Sequence, residues 1–273
     1  KTSTACAVAV NLADSGKKVL LISTDPASNL QDVFGRALTN KAIEIPEVPN
    51  LFVANLDPIA AALEYKESVI GPYRGKLPEV MIQNMEEQLS GSCTVEIAAF
   101  NEFSNFITDK EAKLYYDHII FDTAPTGHTL RMLQLPSAWT DFIAENTHGA
   151  SCLGQLSGLE DKKNIYKQAV ETLSDSNITT LILVSRPEKS PLDEASRASN
   201  ELLELGVSNQ VMVINGVLES HDDDISKSLF DKQQSAIKQM PEALNNIKKY
   251  MIPLRSYNIT GIDNIRKFLA EDS

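Results

Sequence analysis

The sequence predicts an α/β fold, in which a doubly wound and mostly parallel sheet is flanked by helices. Apolar runs of five or six residues alternate with longer segments of helical character, and this alternation is typical of a parallel sheet covered on both faces. Two of these runs end in an aspartate, Asp25 and Asp122. Both aspartates would lie at the carboxyl edge of the strands, where doubly wound sheets bind their ligands.

Taken in order, the pattern predicts a first helix that ends near Gly16 and then a strand at Val19–Ser23. A strand at Leu51–Leu56 follows. Residues 58–114 show little strand character, and we interpret them as a helical subdomain inserted above the binding site. The remaining predicted elements are strand His118–Phe121, helix Thr129–Glu145, helix Asp161–Ser174, strand Thr180–Ser185, helix Leu192–Leu205, strand Gln210–Asn215, helix Asp223–Met240, strand Lys248–Ile252 and helix Ile262–Ala270.

Composition limits the classes of function. The chain has 273 residues, of which 42% are hydrophobic, enough for one full α/β core. Its net charge of −12 argues against a nucleic-acid partner and against unaided binding to anionic lipid. No apolar run approaches the roughly 18–20 residues that a membrane-spanning helix needs, and three cysteines do not form a disulfide framework. We therefore expect a cytoplasmic protein with reduced thiols.

The chain begins Lys1-Thr2-Ser3 and continues directly into an apolar helix. Lys-Thr at a helix start is the end of a phosphate-binding loop, in which Lys1 reaches the outer phosphates and the Thr2 hydroxyl holds magnesium. The same two residues also fit an ordinary helix N-terminus. On the first interpretation, a strand and a glycine-rich loop are expected before Lys1.

The aspartates at the strand ends strengthen the first interpretation. Pro26 ends the strand after Asp25, and Asp122 is placed to meet a magnesium ion or its waters. The turn after Asp122 opens a second helix, with His128 at the hinge, so that a phosphate-sensitive loop would move this helix as a lever. The alternative for Asp122 is a simple turn cap.

Several segments together resemble one known family across nearly the whole chain. They are the KTS start, STDPASN, LSGSCTVEIAAFNEF, FDTAPTGHTLRMLQLP, GASCLG and VINGVL. These segments are similar to the N-terminal half of the arsenite-stimulated, pump-driving ATPases (the ArsA family), which are P-loop NTPases with a deviant Walker A loop. The resemblance implies ATP and Mg²⁺ as cofactors, and hydrolysis coupled to efflux of arsenite and antimonite through an integral-membrane partner. It also implies a second lysine in the loop before Lys1.

The mechanism that we expect for an ATPase of this kind gives further roles to residues at the strand ends. Asp25 would orient or deprotonate the attacking water, while Lys1, Thr2 and Ser3 would bind the phosphates. Asn215 would hydrogen-bond the adenine edge and the loop from Pro253 would cover the base, although plain turn chemistry also explains both residues.

A metalloid site is expected at soft ligands. Cys93 lies in the first turn of a helix, where the helix dipole lowers a thiol pKa, and Cys152 lies in a small-residue loop. Together with His128 these thiols would bind As(III) or Sb(III) as the activating ligand. Cys6 lies on the apolar stripe of the first helix, and we expect it in the core.

Such a half-site needs a counterpart, either from a second homologous half or from another copy of the chain across a two-fold axis. The protein would then lie at the inner face of the plasma membrane through its partner. Two other interpretations stay open: an ATPase that targets tail-anchored membrane proteins, and a non-hydrolysing metalloid-binding protein. The first is disfavoured because the chain has no late Cys-x-x-Cys pair, and the second because both aspartates are present.

Overall fold

The computed structural model describes residues 1–25, 29–123 and 159–270. In these segments strands and helices alternate as predicted. The helices are α1 (Thr2–Asp14), α2 (Leu30–Phe34), α3 (Pro58–Ile70), α4 (Glu79–Gln88), α5 (Ser92–Thr108), α6 (Lys110–Tyr115), α7 (Leu159–Ser174), α8 (Lys189–Glu204), α9 (Asp224–Lys238) and α10 (Ile262–Phe268). The strands are β1 (Val19–Ser23), β2 (Ile43–Glu44), β3 (Leu51–Asn55), β4 (His118–Asp122), β5 (Leu181–Ser185), β6 (Gln210–Val217) and β7 (Lys248–Pro253).

The strands form two sheets, and all pairs but one are parallel. The first sheet has the order β2-β3-β1-β4, with β2 antiparallel to β3, and the second has the order β5-β6-β7. The α/β class with mostly parallel strands is thus confirmed, whereas the expectation of one sheet is not met within the described segments. In those segments β4 pairs only with β1, and β5 pairs only with β6. Among the described strands, the two sheets are therefore joined by side-chain packing and not by inter-strand hydrogen bonds.

Apolar residues cover both faces of the first sheet, which is the doubly wound arrangement. Alternate residues of β1 point to opposite faces. Val19 and Leu21 pack in one cluster with α1, α10 and Val213 of the second sheet. Leu20 and Ile22 pack on the other face with Phe106 of α5 among others. Strand β1 pairs in parallel with β3 on one side and with β4 on the other, so the order in which strands are added changes side at β1.

The helical character predicted for residues 58–114 is confirmed. Some of these helices pack on the sheet, and others pack mainly on one another. Helix α5 lies directly on the sheet and also packs against α7, through Phe100, Phe103 and Tyr166, whereas α3 and α4 share a small cluster around Ile70 and Ile82. The assignment of this segment as a separate subdomain stays a prediction.

Two short elements were missing from the sequence-based prediction. Helix α2 is signalled by Asn29 before it and by Gly35 after it, whose φ of +61° is typical of a helix C-terminus. Strand β2 has only two residues, too few for a visible period. The predicted lever helix Thr129–Glu145 lies outside the described residues.

Candidate functional site

The carboxyl edge of the first sheet carries a row of polar side chains. Ser23 of β1 lies in register with Asn55 of β3 on one side and with Asp122 of β4 on the other. Because the three strands are parallel and in register, these side chains share a face of the sheet, and it is the face that α1 covers. The ends of these strands therefore lie together at one edge of the sheet, as predicted for Asp122.

Asp122 is the most deeply buried charged group of this edge, with 2% of its surface exposed. The Thr2 hydroxyl donates a hydrogen bond to its carboxylate, while Oδ2 is buried without a hydrogen-bond partner among the described residues. Burial raises the pKa of Asp122, and the bond from Thr2 acts in the opposite direction. An unpaired buried oxygen is costly unless something else binds it.

The charges of Lys1 and Asp25 both act on the Asp122 carboxylate. Desolvation lowers the pKa of the Lys1 ammonium, whereas the negative charges of Asp122, Asp25 and Glu194 raise it. The Asp25 N–H donates to Ser23 Oγ at 3.2 Å, which ties the start of the loop after β1 to the polar row. No acidic residue lies in the first turn of α1, so the helix N-terminus and the Lys1 ammonium together favour an anion.

These groups could bind a magnesium ion that keeps most of its waters. They are too few to surround the ion with protein ligands alone. Mg²⁺ keeps several waters and is usually bound through one or two carboxylates plus substrate phosphates. Oδ2 of Asp122, which has no partner in the described part of the chain, and the Thr2 hydroxyl are oxygen ligands of that kind. Within the described segments, no cluster of three or more His, Cys, Asp or Glu residues could hold a metal by itself.

The second sheet contributes the two residues predicted to meet the base. Asn215 of β6 pairs with Ile252 of β7, and Val217 pairs with Pro253, so Asn215 and Pro253 lie at the same edge. Glu194 lies in the second turn of α8, the helix that follows β5, and its negative charge raises the pKa of Lys1. Val213 and Ile252 of the second sheet pack in the same apolar cluster as Val19 and Leu21 of β1, so the two sheets are in contact.

The soft-ligand residues are only partly described. Cys93 is the second residue of α5, as the first-turn prediction required. His128 and Cys152 lie outside the described residues. Cys6 is fully buried in the α1 core, which confirms its predicted position, and burial raises the pKa of its thiol. A thiol of this kind is unreactive.

Two polar residues at these edges were missed from sequence. Asn55 has a buried Oδ1 with no hydrogen-bond partner in the described part of the chain. Its position could have been found from the sequence, because it is the one polar residue of the apolar run LFVANL. The side-chain amide of Gln233 in α9 forms hydrogen bonds with the backbone of Gly216 and Leu218 at the end of β6. No pattern distinguishes it from its neighbour Gln234.

Comparison with known proteins gives a family model and several similar chains. The family model described as "Anion-transporting ATPase" matches residues 1–271. An arsenical pump-driving ATPase of Acidiphilium multivorum is 45% identical over 100% of this chain, and one of Escherichia coli is 45% identical over 99%. The chain spans 47% of the length of each of these relatives. The ATPase GET3 of Komagataella phaffii is 32% identical over 98% of the chain and 85% of its own length. Among the described helices, none is long and apolar enough to cross a membrane.

Proposed function

The chain belongs to the anion-transporting ATPase family, and we propose that it hydrolyses ATP to drive efflux of arsenite and antimonite through an integral-membrane partner. The observation that carries the nucleotide part is the buried carboxylate of Asp122. It accepts a hydrogen bond from Thr2 at the start of α1, and its Oδ2 has no hydrogen-bond partner among the described residues. The arsenical part is supported by relatives of that name at 45% identity over nearly the whole chain.

At the phosphate end, the Lys1 ammonium neutralises charge on the β- and γ-phosphates, and the first N–H groups of α1, including that of Ser3, bind phosphate oxygens. The Thr2 hydroxyl and the Asp122 carboxylate hold the Mg²⁺ or its waters. A magnesium ion held there would supply stabilisation of the negative charge that develops during transfer. Asp25 orients the attacking water and accepts its proton. Phosphoryl transfer depends mostly on positioning and charge, so these few groups suffice.

At the base end, Asn215 hydrogen-bonds the adenine edge and the chain from Pro253 covers the ring. An Asn carboxamide offers one acceptor and two donors, which matches the mixed donor and acceptor edge of adenine. Val217 and Pro253 are paired across adjacent strands, and Leu254 N–H donates to Val217 O at 2.8 Å. The two strand ends are thus held as one unit.

The metalloid is the activating ligand in this proposal. Cys93, Cys152 and His128 bind As(III) or Sb(III), since thiolates are the preferred ligands of soft ions. Binding is completed by a second homologous half or by a second copy of the chain. Antimonite then favours the closed, hydrolysis-competent state by its differential affinity for that state.

The decisive experiment is the rate of ATP hydrolysis by the full-length protein against antimonite concentration, with and without Mg²⁺. We expect Mg²⁺-dependent hydrolysis that rises with antimonite. Hydrolysis without stimulation would refute the metalloid part, and metalloid binding without hydrolysis would leave only a binding protein.

A second candidate is the targeting of tail-anchored membrane proteins. It is favoured by apolar side chains that α3 and α4 expose to solvent, namely Ile59 (68%), Leu63 (63%), Val80 (67%) and Met81 (53%). An apolar helical client would cover such residues. Capture of a purified apolar helix that depends on ATP and is indifferent to antimonite would favour this function over metalloid efflux.

A further inference from the structure

The side chain of Gln233 binds the backbone on both sides of Val217. Its amide nitrogen donates to Gly216 O at 3.1 Å, and its amide oxygen accepts from Leu218 N–H at 2.8 Å. Gln233 is 5% exposed. Burying a side-chain amide costs free energy unless its donor and its acceptor both form hydrogen bonds. Here the amide nitrogen and the amide oxygen each form one, and these two bonds join α9 to the end of β6.

This end of β6 is irregular. Asn215 and Val217 pair with two consecutive residues of β7, so that Gly216 is the extra residue of a bulge. Gly216 has a φ of +85°, in the left-handed region that favours glycine. Bulges redirect side chains and are frequent beside active sites. The residue immediately before this bulge is Asn215.

We infer that Gln233 is a positioning residue for the nucleotide base, because it fixes the bulge at Gly216 and thereby the orientation of the Asn215 carboxamide. The inference rests on the proposed function and on the role of Asn215 in it. Gln233 acts through the backbone. Adenine and guanine present opposite donor and acceptor patterns at the six position, so the discrimination between them depends on how the carboxamide is oriented.

The test is steady-state hydrolysis of ATP and GTP by the full-length protein. Gln233→Met keeps the size and helix propensity of the side chain but removes both hydrogen bonds. Gln233→Glu keeps the shape and the acceptor for Leu218 N–H but places an oxygen against Gly216 O, and the Tm of each variant shows whether it is folded. Gln234→Met is the matched control, since Gln234 is exposed on the same helix.

We expect both Gln233 variants to raise the KM for ATP about tenfold, to keep kcat within about threefold, and to reduce the preference for ATP over GTP about tenfold. The control should match the wild type. A purely structural role gives a different result: fewer active molecules lower kcat equally for both nucleotides and leave KM and the preference unchanged. That result would overturn the inference.

The outcomes separate this inference from the function on which it rests. If the wild type does not bind ATP, both are wrong. If Asn215→Ala leaves the KM for ATP and the preference unchanged, the base contact and this inference are wrong, while ATP hydrolysis stands. If Asn215→Ala weakens ATP binding and both Gln233 variants match Gln234→Met, only the role of Gln233 is refuted.

Discussion

Replacing Asp122 by asparagine is expected to stabilise the nucleotide-free protein while impairing its activity. In the folded chain this carboxylate is buried, and its Oδ2 has no partner in the described residues. Burial raises its pKa, which means that the charged form is destabilised relative to the neutral one. Asparagine keeps an oxygen for the Thr2 hydroxyl and removes the charge.

The size of the effect follows from the unpaired oxygen. A buried polar group without a partner costs about 1–3 kcal/mol, and more when it is charged. Since the neutral amide keeps part of this cost, we expect a gain of about 1 kcal/mol, which in a domain of this size raises Tm by about 2–4 °C. Turnover should fall about 10–100-fold, because the carboxylate no longer holds the magnesium or its waters.

The assay is thermal unfolding at pH 7.5, without nucleotide and Mg²⁺ and then with both, followed by hydrolysis rates. Added Mg²⁺ and ATP should raise the Tm of the wild type more than that of Asp122→Asn. Asp57→Asn is a suitable control, because Asp57 caps α3 and asparagine caps helices equally well. A nucleotide-free Asp122→Asn protein that melts at or below the wild-type temperature would refute the reasoning.

Three further predictions address the reaction, the metalloid and the pH dependence of stability. Asp25→Asn should lower single-turnover hydrolysis about 10²-fold or more while nucleotide still binds, since it removes the proposed base. Cys93→Ser should raise the antimonite concentration needed for half-maximal activation, whereas Cys6→Ser should keep the wild-type activation curve and lower Tm, since Cys6 is buried in the core. Arg266 donates two hydrogen bonds to Asp14, at 2.8 and 2.9 Å, and they hold the pKa of Asp14 below its usual value. This stabilisation exists above the unfolded pKa of about 3.9 and is lost as pH falls through the folded pKa. The pair is about one-third exposed, so we expect Asp14→Asn to cost under about 1 kcal/mol at pH 7 and nothing at low pH in urea unfolding.

Each of these has a clear contrary result. Hydrolysis by Asp25→Asn within a few-fold of the wild type removes Asp25 from the chemistry. Identical antimonite curves for Cys93→Ser and the wild type remove Cys93 from the metalloid site. A stability loss in Asp14→Asn that persists at low pH means that lost packing, and not the ion pair with Arg266, is responsible.

Much of the fold was predictable because it depends on local periodicity. The Val19–Ser23 strand was predicted with its observed bounds, and the polar residues at strand ends were visible because each follows an apolar run. Other bounds moved by one to three residues in either direction, and one of these changes has a clear tertiary cause. Strand β6 was predicted to end at Asn215 but continues to Val217, since the bulge at Gly216 lets β6 and β7 continue to pair.

The sequence by itself determined the alternation of strands and helices, the placement of Asp25 and Asp122 at strand ends, and the start of α1 at Lys1-Thr2. Only the tertiary structure decided that Thr2 binds Asp122, that one carboxylate oxygen has no partner among the described residues, and that Gln233 instead of Gln234 holds the end of β6. The reason is physical. Periodicity is written into neighbouring residues, whereas these hydrogen bonds join groups far apart in the chain and depend on the register and packing of elements that no local pattern encodes.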